Sequence, residues 1–265
     1  MFKSIFSKTL YQQRWSIVFW GLGVIGMCML MMAFYHSFSG GQFDEALKNL
    51  PDSMKKLVGD VGSLKTVPGY VSQEVFGLRV PLLLMVMSIM LFTGLLAGEE
   101  GEGTLQTVLS QPVSRFKVYI EKLLAGIVVS LVICMTAVLG VWVGLLLIHE
   151  TMSFMRLVEA VIGVWLLVFL FGSLGFAIGA VTGRRGFAGS ITGLIAFSTY
   201  LLTSFAASVS GIKTIERLSP FHYYNDPGIA ANGLRATNVW VMLSVSAVFL
   251  LVSAVIFLKR DIYQR

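Results

Sequence analysis

Read as an alternation of apolar and charged positions, the chain divides into six long apolar stretches separated by short charged ones. No Asp, Glu, Lys or Arg occurs within Trp15–Tyr35, Val80–Gly98, Leu123–Ile148, Ala160–Gly183, Gly186–Ile212 or Ala236–Leu258. At about 1.5 Å of rise per residue, each stretch is long enough as a helix to cross a hydrocarbon core about 30 Å thick. The pattern predicts an all-α polytopic membrane protein, one transmembrane domain over residues 1–265. Its spans are placed at 15–35, 80–98, 123–148, 160–183, 186–209 and 236–258. The fifth apolar stretch exceeds what a crossing needs, so its last residues are assigned outside the lipid.

Between the spans the pattern shortens. Phe2, Ile5, Phe6 and Leu10 recur at helical spacing, with Lys3, Ser4, Ser7 and Lys8 on the opposite face. This predicts a short N-terminal helix lying in the headgroup plane. The longest connection, His36 to Arg79, carries two apolar patterns: Phe43, Ala46, Leu47 and Leu50 before Pro51, then Met54, Leu57, Val58 and Val61 after it. Two short surface helices broken at the proline are expected there. In the connection Lys213 to Arg235, Pro220 and Pro227 bracket a run of aromatics. That segment is expected to rest at the outer bilayer surface.

Composition removes the soluble alternatives. Apolar residues make up 56% of the chain and charged residues 13%, against about a quarter charged in soluble domains. The net charge of +6 does not call for a nucleic-acid partner, because basic residues collect at the cytoplasmic ends of membrane helices. Eleven of them fall in four short segments: the N-terminus, the second-to-third connection, the turn at Arg184 and Arg185, and the tail. The three opposite segments hold nine over a greater length, interspersed with acids. The asymmetry predicts a multi-pass plasma-membrane protein with both termini cytoplasmic. The first apolar stretch is too long for the core of a signal peptide, and no small-x-small site closes it, so it reads as a retained helix.

The spans themselves carry little chemistry. None holds a carboxylate or a fixed cation, which argues against a proton-coupled carrier but leaves open a sodium site of hydroxyls and carbonyls. His36, His149 and His222 sit at or beyond helix ends, so Ser173 and Ser190 lack a partner base and no metal-ligand cluster has the required spacing. Cys28 and Cys134 lie within spans and define no disulfide framework. Gly172, Gly175, Gly179 and Gly183 on the fourth span, continued by Gly189 and Gly193 on the fifth, mark faces where helices can approach closely. With Arg184 and Arg185 forming a very short turn, these two helices are expected to form a tight antiparallel hairpin within one subunit. The fifth span is rich in hydroxyls, and Ser198, Thr199, Thr203, Ser204 and Ser208 are candidate lining for a polar pathway. Back-bonding to their own helix is the competing use.

The densest pattern joins the second and third spans. A carboxylate cluster, Glu99, Glu100 and Glu102, is followed by Gly103 and a short helical pattern from Thr104 to Gln111 that Pro112 ends. Thr104 is expected to cap that helix and Ser114 the next one, which runs through Lys117. Leu105, Val108 and Leu109 give the short helix an apolar face, and an apolar face on a water-exposed helix fits a groove on another protein.

The stretch Glu99-Glu100-Gly101-Glu102-Gly103-Thr104-Leu105, followed by Pro112-Val113-Ser114-Arg115, resembles the signature of type-2 ATP-binding cassette (ABC) transporter permeases. The N-terminal amphipathic helix, the six spans and the Ser219-Pro220 element before the last span extend the resemblance over essentially the whole chain. Gly101 departs from it, since the family often has a charged residue there. The resemblance implies a transport subunit rather than an enzyme: no Gly-x-x-x-x-Gly-Lys-Ser/Thr phosphate loop is present. It implies that this chain binds no cofactor, with ATP and Mg held by a partner ATPase subunit, and that two permease copies assemble in the bilayer. Residues Glu99 to Arg115 would form the coupling helix and its supports, contacting that ATPase. Export of a hydrophobic or amphipathic molecule, such as an antibiotic, peptide or lipid, is the expected activity. The alternatives are an ATP-independent sensor or sodium-dependent carrier, or an intramembrane enzyme.

Overall fold

The computed structural model describes residues 4–39, 65–206, 216–224 and 233–261, and among them every regular element is helical. A short helix α1 (Ile5–Gln12) turns into α2 (Arg14–Ala33). The long helix α3 (Val67–Gly101) leads through Gly103 into the six-residue α4 (Thr104–Leu109). Then come α5 (Arg115–Leu147), α6 (Phe154–Thr182) and α7 (Arg185–Ala206), the short α8 (Pro220–Tyr224) and α9 (Ala236–Lys259). Six of these, α2, α3, α5, α6, α7 and α9, are long and apolar enough to cross a membrane. The surface-helix pair expected around Pro51 lies outside the described residues.

α6 is the hub and packs on α3, α5, α7 and α9, while α2 lies along α5. Of the most apolar 18 residues of α6, 78% are buried, against 22% in each of α2, α7 and α9. The outer helices therefore turn most of their apolar surface away from the protein, as lipid-facing helices do. Aromatics stitch the centre: Phe92 of α3 and Tyr119 of α5 both meet Phe176 edge-on, at 6.3 and 5.1 Å between ring centroids. Tyr119 continues the chain to Phe257 of α9 and donates its hydroxyl to the Leu250 carbonyl at 2.7 Å. The thiols of Cys28 and Cys134 are fully buried.

The glycines of α6 work differently from the expected hairpin. A Cβ at Gly172 would stand 2.5 Å from both Phe92 and Ser88 of α3, and one at Gly179 would meet Ala97 of α3 at 3.2 Å. Gly175 faces Thr93 of α3 and Thr192 of α7 together, at 3.1 and 3.3 Å. The face thus seats α3 first, with α7 on its flank. On α7 itself, nothing lies within 4 Å of a Cβ at Gly193, and only Ile89 at 4.0 Å for Gly189. A second close approach lies elsewhere: Cβ atoms at Gly140 and Gly144 of α5 would stand 2.6 to 2.9 Å from Ile25, Cys28 and Met32 of α2. That small-x-x-x-small pair brings the two backbones into contact.

Two connections depart from expectation. The second membrane helix begins at Val67, 13 residues before the span placed at Val80, and totals 35 residues. Thr66 caps it by accepting the Gly69 N–H, and Val71–Arg79 winds as a π-helix. Glu74 and Arg79 pair with each other on this extension, so a charge-free window ended too early. Tyr70 anchors the extension to α2 through a 2.6 Å hydrogen bond to the Met31 carbonyl.

The segment Ser219–Tyr224 does not rest on the surface. Phe221 and Tyr224 are buried, with Phe221 against Phe171 of α6 and Tyr200 of α7. Phe171 stands 17 residues into α6, about 26 Å from its N-terminal end at the α-helical rise, so α8 dips well into the bundle. Buried polar groups there are satisfied. Thr203 donates to Ser219 Oγ at 2.7 Å, Ser219 donates to the Thr199 carbonyl at 3.0 Å, and Tyr224 donates to the Phe76 carbonyl.

Candidate functional site

The site is the charged junction where α3, α4 and the starts or ends of four helices meet. α3 closes with a second π-helical turn, Gly94–Gly98, which presents Glu99 and Glu100 in succession. Glu99 receives Lys122 of α5 at 2.5 Å, and Lys122 is only 1% exposed. An ammonium that deep is tolerated because a carboxylate meets it, and removing either partner strands the other charge. Glu99 Oε2 has no hydrogen-bond partner in this structure.

Glu100 turns the other way and pairs with Arg260, just beyond the end of α9. Arg260 also donates to the Val181 carbonyl at the end of α6, at 3.0 Å, and its own carbonyl accepts from Arg115 at 2.5 Å. Gly183 ends α6 in the left-handed conformation, φ 66°, and a Cβ there would lie within 3 Å of the Glu100 carboxylate. Glycine at this position therefore serves both the helix end and the carboxylate's seat. Two consecutive carboxylates thus tie the end of α3 to α5, α6 and α9.

α4 hangs from this junction. Gly103, with φ 73°, makes the left-handed turn that redirects the chain. Thr104 does not cap: it is the first residue of α4, and its hydroxyl donates back to the Glu99 carbonyl at 3.2 Å. Ser114 caps α5 as expected, accepting the Lys117 N–H at 3.2 Å. Glu102 is exposed, and α4 stops three residues before Pro112. The apolar face of α4 points inward. Leu105 is fully buried in the core, and Val108 and Leu109 are partly buried against it. Leu105 is therefore not an outward contact, contrary to expectation.

α1 is tied to the same junction. Ser4 caps it, and the Phe6 N–H donates to Glu121 of α5 at 2.9 Å, so a carboxylate meets the positive end of the helix. Above α1 lies a cavity of about 270 Å³ between α2, α3 and the first residue of α7. Gln12, Gln13, Ser16 and Arg185 give it polar walls, and Trp20, Met87 and Leu91 apolar ones. Arg185 lies across Gly94 and Gly98, where added methyls would touch it at 3.6 and 3.4 Å.

The hydroxyls of α7 scatter. Thr199 bonds to its own helix at 2.9 Å, and Thr203 is engaged with Ser219. Ser198 and Ser204 are exposed on the outside of the chain, and Ser208 lies outside the described residues. They do not converge on a polar path within this chain. Lys122 and Arg260 were not singled out by sequence reading. The signal for Lys122 was a cation at a span boundary, while Arg260, beside Lys259 in the tail, had no sequence signal that set it apart.

With this geometry in place, comparison with known proteins is direct. The family described as ABC-2 family transporter protein matches residues 4–262. The chain belongs to that family and is a membrane permease subunit of an ABC transporter. No curated protein matches it.

Proposed function

We propose that this chain is the membrane half of an ATP-driven exporter of hydrophobic or amphipathic molecules, powered by a separate ATPase chain and working as a pair of permeases. The observation that carries the reading is the double tether at Glu99 and Glu100. With the end of α3, from which α4 leads, tethered to α5, α6 and the residue after α9, a push on α4 is passed to four membrane helices at once. In this reading the junction faces the cytoplasm, both termini lie there, and the membrane is the plasma membrane. The excess of basic residues in the short segments on that side supports this orientation. ATP and Mg belong to the partner, since the chain carries no phosphate loop.

An amphipathic cargo is supported by the cavity beside α1, where polar walls meet apolar ones at the level of the junction. A long-tailed molecule with a polar head satisfies both. The test is purification of the tagged permease from its native membrane, followed by reconstitution. A phosphate-loop ATPase should copurify, and its turnover in proteoliposomes should rise with amphipathic substrates. Absence of any such ATPase from the purified complex would remove the reading.

A further inference from the structure

Three charged side chains wall the cavity beside α1, and one of them is already matched: Glu99 is taken by Lys122. Arg185 and Glu102 remain. Among the described residues, the side chain of neither enters an ion pair or a hydrogen bond, with the other or with any neighbour. A cation and an anion that share one cavity and leave each other unpaired fit a ligand carrying both charges.

Arg185 is placed for such a ligand. Its side chain lies along Gly94 and Gly98 of α3, where Cβ atoms would stand 3.6 Å from its guanidinium and 3.4 Å from its Cδ. With no partner in the chain, the five donors of the guanidinium stay free for an anion. At about 270 Å³ the cavity falls just under the roughly 300 Å³ at which pockets for whole small ligands begin. It has room for a headgroup and none for a long tail.

The tail has a track outside the cavity. Leu82, Val86 and Met90 of α3 are each about half exposed and recur every four residues on one face. Met90 lines the cavity, and Gly94 and Gly98 continue the same series to Arg185. From Leu82 to Met90 the stripe rises about 12 Å, close to one leaflet of a hydrocarbon core about 30 Å thick.

We propose that this face of α3 seats one amphiphile with a zwitterionic head. Its phosphate or carboxylate meets Arg185, its ammonium meets Glu102, and its tail lies along Met90, Val86 and Leu82. As cargo, this amphiphile rests on the exporter reading and narrows it to zwitterionic lipids. A purely anionic head would leave Glu102 repelling it, and a purely cationic one Arg185. The stripe alone would suit a second permease copy equally well; the two unmatched charges at its end are what a headgroup answers.

The experiment uses the full permease in detergent, with binding read by native mass spectrometry. The probes are dioctanoyl phosphatidylethanolamine, dioctanoyl phosphatidylglycerol and the tail-less glycerophosphoethanolamine. The ethanolamine lipid should bind about tenfold tighter than either other probe. Arg185→Gln should lower its affinity about tenfold, and Glu102→Gln should bring the two lipids within about twofold of each other. A photo-crosslinking benzoylphenylalanine at position 86 decides the matter if either variant is unstable, because it should trap the ethanolamine lipid in preference to the glycerol lipid. Equal affinity of the ethanolamine lipid and either other probe, unchanged binding by Arg185→Gln, or a crosslink from 86 to a second permease overturns the site and leaves the exporter reading intact. Failure of any ATPase to copurify overturns the cargo role together with the exporter reading, while these affinities still decide the site.

Discussion

Lys122 is the residue on which the junction turns. Its ammonium is almost wholly enclosed, and Glu99 pairs with it at 2.5 Å. Lys122→Met removes the cation and leaves the Glu99 carboxylate, 17% exposed, without its ion-pair partner. Breaking a buried pair in this way costs about 3–5 kcal/mol. Lys122→Met should therefore reduce the folded yield and melting temperature of the detergent-solubilised protein sharply. Adding Glu99→Gln to Lys122→Met should restore most of the loss, because no charge then remains unpaired. The recovery, read by fluorescence-detected thermal unfolding, distinguishes a charge effect from lost packing: a double variant as unstable as Lys122→Met alone would assign the cost to packing. Sequence showed Lys122 only as one of the basic residues at a span boundary. A solvated anchor and a buried partner look identical in one dimension.

Among the elements, α8 carries the sharpest consequence. Ser219 Oγ accepts from Thr203, donates to the Thr199 carbonyl, and accepts the Phe221 N–H at 3.2 Å. Ser219→Ala leaves that N–H without its partner in a dry setting, costing about 1–2 kcal/mol. Amide exchange at Phe221 should accelerate by about tenfold, the rate ratio for 1.4 kcal/mol, with little change in α6. Unchanged exchange there would mean that the aromatic contacts alone hold α8.

The existence and number of the membrane helices were legible from charge-free runs, and the Ser114 cap from its position three residues before Lys117. Three features were not. The start of α3 was hidden because Glu74 and Arg79 neutralise each other on one helix, so charge failed to mark the boundary. The inward dip of α8 was hidden because prolines and aromatics suit a surface as well as a re-entrant segment. The direction of Leu105 was hidden because three apolar residues define a face but not what covers it. Gly140 and Gly144 stand out in the sequence as a pair spaced by four, but the spacing does not say that α2 is the helix they admit.

At the scale of the whole molecule, the six helices define two ends, and which end faces the cytoplasm is open to a simple measurement. Both native thiols are fully buried, so introduced cysteines can be read against a silent background. Ser110→Cys and Thr151→Cys place thiols at exposed positions at opposite ends of α5. In intact cells an impermeant maleimide should label position 151 and not 110, and permeabilisation should expose 110. Labelling of 110 in intact cells would invert the orientation.

The central position of α6 has a further consequence for synthesis. The chain leaves the ribosome from its N-terminus, so α6 enters the membrane after α3 and α5 but before α7 and α9. Until those two arrive, the flank carrying Thr192's partner Gly175 and the surface that α9 covers face lipid or the insertion machinery. Arg260 cannot reach Val181 or Glu100 before α9 has been threaded across. Connectivity thereby dictates an assembly order in which the core helix is made fourth and enclosed last.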